Sequence, residues 1–245
     1  MFDYTDLGLE ALNDKYQNRI CVLWYKLDNN EFIGTGNLFE ISGNQFIITC
    51  EHVASKFFDA SDAKCKFSEQ ETIYRINLKL VYTDELNDLA IIQLKKKLNS
   101  GDYFTYDEIE VYDNFGDPRF QESSFYVCGL PSELTDVDSN TRNTNKLSLL
   151  TLMYDKIDST SEYLYLDYPK ISGDVDISPF LDSLPEPGGM SGSFIIFVPN
   201  PVSETNDIWS LDQAKVVAML TMSDNKRYVK CVNIRHLLTA KDELI

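Results

Sequence analysis

From Ile20 onward the chain is a succession of short runs rich in β-branched and aromatic residues, parted by clusters of Gly, Asn, Asp and Ser. No long helical stretch separates these runs, so strands can bury their apolar faces only against other strands, and the fold is confined to a sandwich or to barrels. The runs predicted as strands are 21–27, 36–41, 46–49, 74–82, 89–94, 124–129, 147–154, 163–168, 193–198, 216–221 and 228–234. Helical spacing occurs only at the two ends. Leu7, Leu9, Leu12 and Tyr16 suggest a short amphipathic lead-in helix, and Ile234, Leu237, Leu238 and Leu244 a terminal one. A polar, acidic stretch from Tyr112 to Ser123 divides the strands into two sets of similar size, one within 19–115 and one within 122–245. Two further stretches, 132–146 and 172–189, read as long loops, where binding and catalysis usually sit.

At 245 residues the chain can bury a core that needs neither metal nor disulfide. A net charge of −17 argues against nucleic acid and anionic lipid as partners, since both attract basic surfaces. The one basic run, Lys95-Lys96-Lys97, reads as a solvated strand end. Cys21, Cys50, Cys65, Cys128 and Cys231 are odd in number and lie mostly among apolar neighbours, the pattern of buried free thiols in a reducing cytosol. The first residues show no basic region followed by an apolar stretch, and no run approaches the ~18 apolar residues of a membrane span. Lys241-Asp242-Glu243-Leu244 is followed by Ile245 and is not read as a retention signal. The expected location is the cytoplasm.

Three segments carry chemistry. His52, one of two histidines, stands where the apolar run Phe46-Ile47-Ile48-Thr49 ends and a turn is expected. Asp88 stands at the mouth of the apolar strand Leu89-Ala90-Ile91-Ile92, where a carboxylate is costly unless hydrogen bonds are donated to it, as an imidazole N–H would do. Ser191 lies in Gly188-Gly189-Met190-Ser191-Gly192-Ser193, directly before the buried run Phe194-Ile195-Ile196-Phe197. Glycines there permit positive φ and let consecutive N–H groups converge on one oxygen, the requirement of an oxyanion hole. His236 falls on the terminal helix beside Leu237 and Leu238, with no acidic residue evident before a strand to serve it.

The order His, Asp, Ser is one of the few known arrangements of a Ser-His-Asp triad. Ile48-Thr49-Cys50-Glu51-His52-Val53 resembles the Thr-Ala-x-His block of the trypsin-like (chymotrypsin-fold) serine peptidases. Asp88-Leu89-Ala90-Ile91-Ile92 is similar to their Asp-hydrophobic-Ala-hydrophobic block, and Gly189-Met190-Ser191-Gly192-Ser193 to their Gly-x-Ser-Gly block, in the form of intracellular bacterial and viral members. Gly34-Thr35-Gly36 with the strand after it resembles the strand preceding the histidine motif. The resemblance extends from about Cys21 to Leu238. It implies an all-β fold of two six-stranded antiparallel Greek-key β-barrels packed together, with a short N-terminal and a C-terminal helix. It also implies a hydrolase with Ser191 as nucleophile, His52 as general base and then acid, Asp88 fixing the imidazole tautomer, and the N–H groups of Gly189 and Ser191 as oxyanion hole.

Met190 stands where secreted members carry an Asp that pairs with a newly cut N-terminus, so activation by that route is not expected. Pro185, Leu220, Thr221 and Met222 are the expected substrate-pocket residues, and with no acid among them a small or apolar side chain before the cut is expected rather than Arg or Lys. The expected partners are a protein or peptide substrate and a regulatory protein, without cofactor or metal; two histidines and no Cys-x-x-Cys leave few ligands for a metalloenzyme. An esterase of the α/β-hydrolase class would need alternating helices and the order Ser, Asp, His, and has neither. The remaining alternative is a catalytically silent double-barrel interaction or sensor module.

Overall fold

A computed structural model describes residues 11–67, 72–98, 102–112, 115, 124–132, 150–154, 156–160, 162–167, 188–198, 211–224 and 228–244. Among these, the chain forms fourteen strands in two antiparallel sheets. The first sheet contains β1 (Ile20–Leu27), β2 (Asn30–Ile41), β3 (Asn44–Thr49), β4 (Asp62–Lys66), β5 (Thr72–Tyr74), β6 (Leu78–Asp84) and β7 (Leu89–Leu94), in the order β5, β4, β1, β2, β3, β7, β6. The second contains β8 (Ser124–Gly129), β9 (Leu150–Tyr154), β10 (Lys156–Ser159), β11 (Tyr163–Asp167), β12 (Phe194–Val198), β13 (Lys215–Asp224) and β14 (Tyr228–Asn233), in the order β10, β11, β14, β13, β12, β8, β9. A helical segment, α1 (residues 11–16), precedes the first sheet; α2 (Glu51–Asp59) follows β3, and α3 (Arg235–Leu244) ends the chain.

Each sheet has seven strands where six are expected, and the reason is the same in both. The edge strands β5 and β6 are successive in sequence, parted by the short turn Arg75–Asn77, and β9 and β10 are likewise successive. One chain run therefore serves both edges, and the sheet closes on itself. The run predicted as a single strand over 74–82 is bent in this way. With each bent pair counted once, both barrels have the cyclic order 1, 2, 3, 6, 5, 4. They share one topology without any visible sequence repeat.

Turn chemistry fixes the register of the first barrel. Asp28 and Asn29, both at positive φ (49° and 66°), join β1 to β2, and Ser42 and Gly43 (51° and 77°) join β2 to β3. Two central residues at positive φ are the mark of the hairpin turn whose twist matches the strands.

The continuous apolar run of β12 has a structural cause. Phe194, Ile196 and Val198 face a core shared with the first barrel, while Ile195 and Phe197 face the interior of the second. A strand buried on both faces loses the usual apolar/polar alternation. In β8, Tyr126 and Cys128 divide from Phe125 and Val127 in the same way.

The connection between the barrels begins before the expected stretch. Phe104 exchanges hydrogen bonds with Leu38 and Glu40 of the first barrel, and Glu110 donates to Val216 O of the second at 3.0 Å. Of 112–123, residues 113, 114 and 116–123 lie outside the described residues, as do 68–71, 133–149 and 168–187, and hence most of both long loops. Phe104 is buried at a junction of three parts: its ring stacks on Tyr16 of α1 (centroids 5.2 Å apart) and meets Phe194 of β12 edge-on (5.0 Å). Arg19 lies over the Tyr16 and Phe104 rings and forms a bidentate pair with Glu108. Leu12 and Tyr16 are buried as expected of the lead-in helix, whereas Leu7 and Leu9 lie outside the described residues. Truncating Phe104→Ala should destabilise the protein by about 3–5 kcal/mol, the usual cost of emptying an aromatic core site, measured as a shift in the urea-unfolding midpoint.

Candidate active site

His52 does not sit in a turn. It is the second residue of α2, whose N-cap, Cys50, makes no side-chain cap bond. The first turn of a helix leaves N–H groups without intrahelical acceptors, and Asp88 supplies one: its Oδ1 accepts the His52 backbone N–H at 3.0 Å. The same carboxylate meets the ring, with His52 Nδ1 2.9 Å from Oδ2 and 3.0 Å from Oδ1. An ionised carboxylate can only accept, so Nδ1 carries the ring proton and Nε2 keeps its lone pair. Both side chains remain partly open to solvent, at 39% for His52 and 26% for Asp88.

Asp88 holds this place in a left-handed conformation, φ +51°, at the end of the turn from β6 to β7. Asp tolerates that region better than most residues. Asp84 closes the turn by accepting the Asn87 N–H at 3.1 Å and the Asn87 side-chain amide at 2.7 Å. Desolvation alone would raise the Asp84 pKa, but the bonds from Asn87 and the Leu86 N–H outweigh it and bring it below the ordinary value.

The Ser191 turn is held by its carbonyls. Gly188 O accepts from Ser132 N (2.7 Å), and Gly189 O from Thr35 Oγ1 (2.8 Å). Met190 O accepts from both the N–H and the hydroxyl of Ser193. Ser191 O accepts from Thr35 N (3.0 Å), Gly192 O from Asn37 Nδ2 (2.6 Å), and Ser193 O from Leu220 N (2.8 Å). Every carbonyl from 188 to 193 is thus fixed. A trans peptide points its N–H opposite its C=O, so tethering Gly188 O and Met190 O aims the Gly189 and Ser191 N–H groups away from those tethers. Gly189 (φ +86°) and Gly192 (φ +97°) provide the backbone reversals, and a Cβ on Gly189 would lie 2.8 Å from Leu130 O and Ser132 N.

The two halves meet at Leu220. Its carbonyl accepts Gly192 N at 2.8 Å and the Cys50 thiol at 3.2 Å, so the neighbours of Ser191 and His52 share one acceptor. Thr49 Oγ1 donates to Thr35 O at 2.8 Å, closing the same junction from the β3 side. Met190, beside Ser191, is fully buried in the core of the second barrel, where a charged Asp would be costly.

Of the expected pocket residues, Leu220 places its side chain in the second core and meets the Ser191 turn through its backbone. Thr221 is buried with its hydroxyl on Lys230 O at 3.2 Å. Met222 pairs with Lys230 in β13, and Pro185 lies outside the described residues. The expectation that His236 lacks an acidic partner is corrected: Glu162, immediately before β11, sits 2.9 Å from its Nε2 and also pairs with Arg235. Glu162 was missed because it follows Ser161 in a polar stretch and lies far from His236 in sequence. All five cysteines are buried and none is in a disulfide. Lys95, Lys96 and Lys97 are exposed just after β7, as expected. The sequence reading also missed the roles of Thr35, Asn37 and Cys50.

The chain matches no sequence-family model and no curated protein sequence. Its structure is similar to that of a serine endoprotease from Yersinia pestis, with 12% identity, a TM-score of 0.58, and coverage of 97% of this chain and 66% of that one. It is similar to the HtrA-type protease AlgW, solved with a tripeptide, at 11% identity and TM-score 0.55, covering 97% and 63%. It is also similar to the serine protease of a human pathogenic astrovirus, at 14% identity and TM-score 0.50, covering 89% and 90%. This chain therefore spans about two thirds of the first two chains and nine tenths of the third. The fold is a chymotrypsin-like double β-barrel.

Thr35→Val should cost about 1–3 kcal/mol, because Gly189 O and Leu130 N both lose the buried hydroxyl; Thr35→Ser should recover most of the loss in the same unfolding measurement. Asp84 has a lowered folded pKa, so its stabilisation is complete above the ordinary value of 3.8 and is lost as pH falls through the lower folded value. The gap in unfolding midpoint between native protein and Asp84→Asn should accordingly be full at pH 7 and shrink below pH 3.8.

Proposed function

We propose that the chain is a serine endopeptidase, which hydrolyses peptide bonds through an acyl-enzyme intermediate. His52 Nε2 takes the proton of Ser191 Oγ as the hydroxyl attacks the scissile carbonyl. Asp88 keeps the ring in the reactive tautomer and stabilises the imidazolium that forms. The N–H groups of Gly189 and Ser191 receive the negative oxygen, and His52 then returns the proton to the leaving amine. Water repeats the sequence on the acyl-enzyme.

The observation that carries this reading is the bidentate contact of His52 Nδ1 with Asp88, in a chain whose Ser191 turn has all its carbonyls tied back. A structural histidine needs no such tautomer, and a plain hairpin needs no such tethering. The target is a dedicated protein in the cytoplasm, cut after a small or apolar side chain, with a regulatory protein as second partner. The cytoplasmic setting is supported by five reduced thiols.

A fluorophosphonate should label the native protein and neither Ser191→Ala nor His52→Ala. Asp88→Asn should lower turnover by about 10⁴ through the wrong tautomer. Labelling unchanged in both alanine variants, or a peptide-library profile dominated by Arg or Lys, would overturn the corresponding part of the proposal. A native protein that never labels would favour the silent interaction module.

A further inference from the structure

Cys50 stands where the family's histidine block has Ala, and the thiol changes what the His–Asp pair can bind. Among the described residues, Cys50, His52 and Asp88 form a group whose sulfur, ring nitrogen and carboxylate oxygen all lie within 4.8 Å of one another. The sequence offered no metal-binding spacing; the group exists because α2 begins beside the turn that carries Asp88. We propose that Cys50 Sγ, His52 Nδ1 and one Asp88 oxygen bind a thiophilic divalent cation of the Zn²⁺ type, and that the bound ion switches the histidine off as a base. Its regulatory meaning rests on the peptidase reading; its coordination chemistry does not.

Tetrahedral Zn²⁺ takes thiolate at about 2.3 Å and imidazole or carboxylate at about 2.0–2.2 Å, which sets its ligand atoms roughly 3–4 Å apart. Nδ1 and the Asp88 oxygens already stand 2.9–3.0 Å apart, and the sulfur can approach by giving up its bond to Leu220 O. A mixed thiolate, imidazole and carboxylate set favours Zn²⁺ over Mg²⁺ or Ca²⁺. Cys50 is buried, but His52 and Asp88 are partly open, which gives the ion an entry and its fourth position a water. The net charge of −17 favours a cation.

The protons balance as follows. Burial, then the nearby Asp88 charge, holds the Cys50 thiol protonated while the site is empty. The ion displaces that proton to solvent, and the proton on Nδ1 moves to Nε2 as Nδ1 gives its lone pair to the metal. One proton leaves per ion, and the ring stays neutral. Nε2 then donates where it previously accepted, and it cannot take the proton of Ser191.

The test uses Co²⁺ as a probe on the metal-free full chain. Native protein should bind one Co²⁺ with a near-ultraviolet thiolate-to-cobalt band, and Zn²⁺ should displace it. Cys50→Ala should lose the band and bind Zn²⁺ at least about tenfold more weakly. Cys65→Ala should retain the band, because Cys65 is buried in the first barrel and is not one of the three clustered groups. No band in native protein, or a band that survives in Cys50→Ala, would overturn the site. Peptide hydrolysis, followed in parallel, should fall as Zn²⁺ fills the site in native protein and be at least tenfold less sensitive in Cys50→Ala. Zn²⁺ bound at Cys50 without loss of hydrolysis would overturn the switch. A metal-free protein without any hydrolysis would fail the peptidase reading and leave the cobalt result standing.

Discussion

The junction of the two barrels depends on Thr35. It is fully buried, and all its polar groups are engaged: its N–H with Ser191 O, its hydroxyl with Gly189 O and Leu130 N, and its carbonyl with Thr49 Oγ1. Asn37, two residues along the same strand and on the same face, adds Gly192 O and Ile48 O. The serine turn thus takes its shape from a strand more than 150 residues earlier in sequence. Buried donors and acceptors carry a high penalty when left unpaired, so the fully engaged groups of Thr35 favour this arrangement over others. Apolar packing across β12 supplies adhesion between the barrels; the polar contacts supply register.

The shared cyclic strand order of the barrels shows how different sequences reach one topology. In both, a single run bends from one edge of the sheet to the other, which removes the exposed edges an open sheet would leave. The bends differ in chemistry. In the first barrel the bend is a three-residue turn at Arg75–Asn77, and in the second β9 ends at Tyr154 and β10 begins at Lys156.

The fold was largely legible, for physical reasons that can be named. Runs such as 89–94 and 124–129 coincide with their strands because two-faced burial leaves them apolar at all but one or two positions. β4, Asp62–Lys66, was not legible, since Asp-Ala-Lys-Cys-Lys places three charged residues among five and its strand state comes from pairing with β1. The helix at His52 was hidden for a similar reason: its start is capped by Asp88, distant in sequence, rather than by a local Ser, Thr or Asp. Of the site, His52, Asp88 and the glycines around Ser191 could be found because each sits at the edge of an apolar run. Thr35, Asn37 and Glu162 could not, because their importance lies in partners that only the closed barrels bring near.

Asp88 holds the histidine ring and caps the helix that carries it, and the carbonyls of Gly189, Ser191 and Gly192 find their donors on a strand of the other barrel. The first barrel, made earlier on the ribosome, holds His52 and Asp88 without Ser191. The second, made later, can tie the carbonyls of Gly188, Met190 and Ser193 by itself but leaves those of Gly189, Ser191 and Gly192 without their donors until docking. On the proposed peptidase reading, a nascent or partly unfolded copy would be inert, and assembly of the barrels would do the work of a removable prosegment.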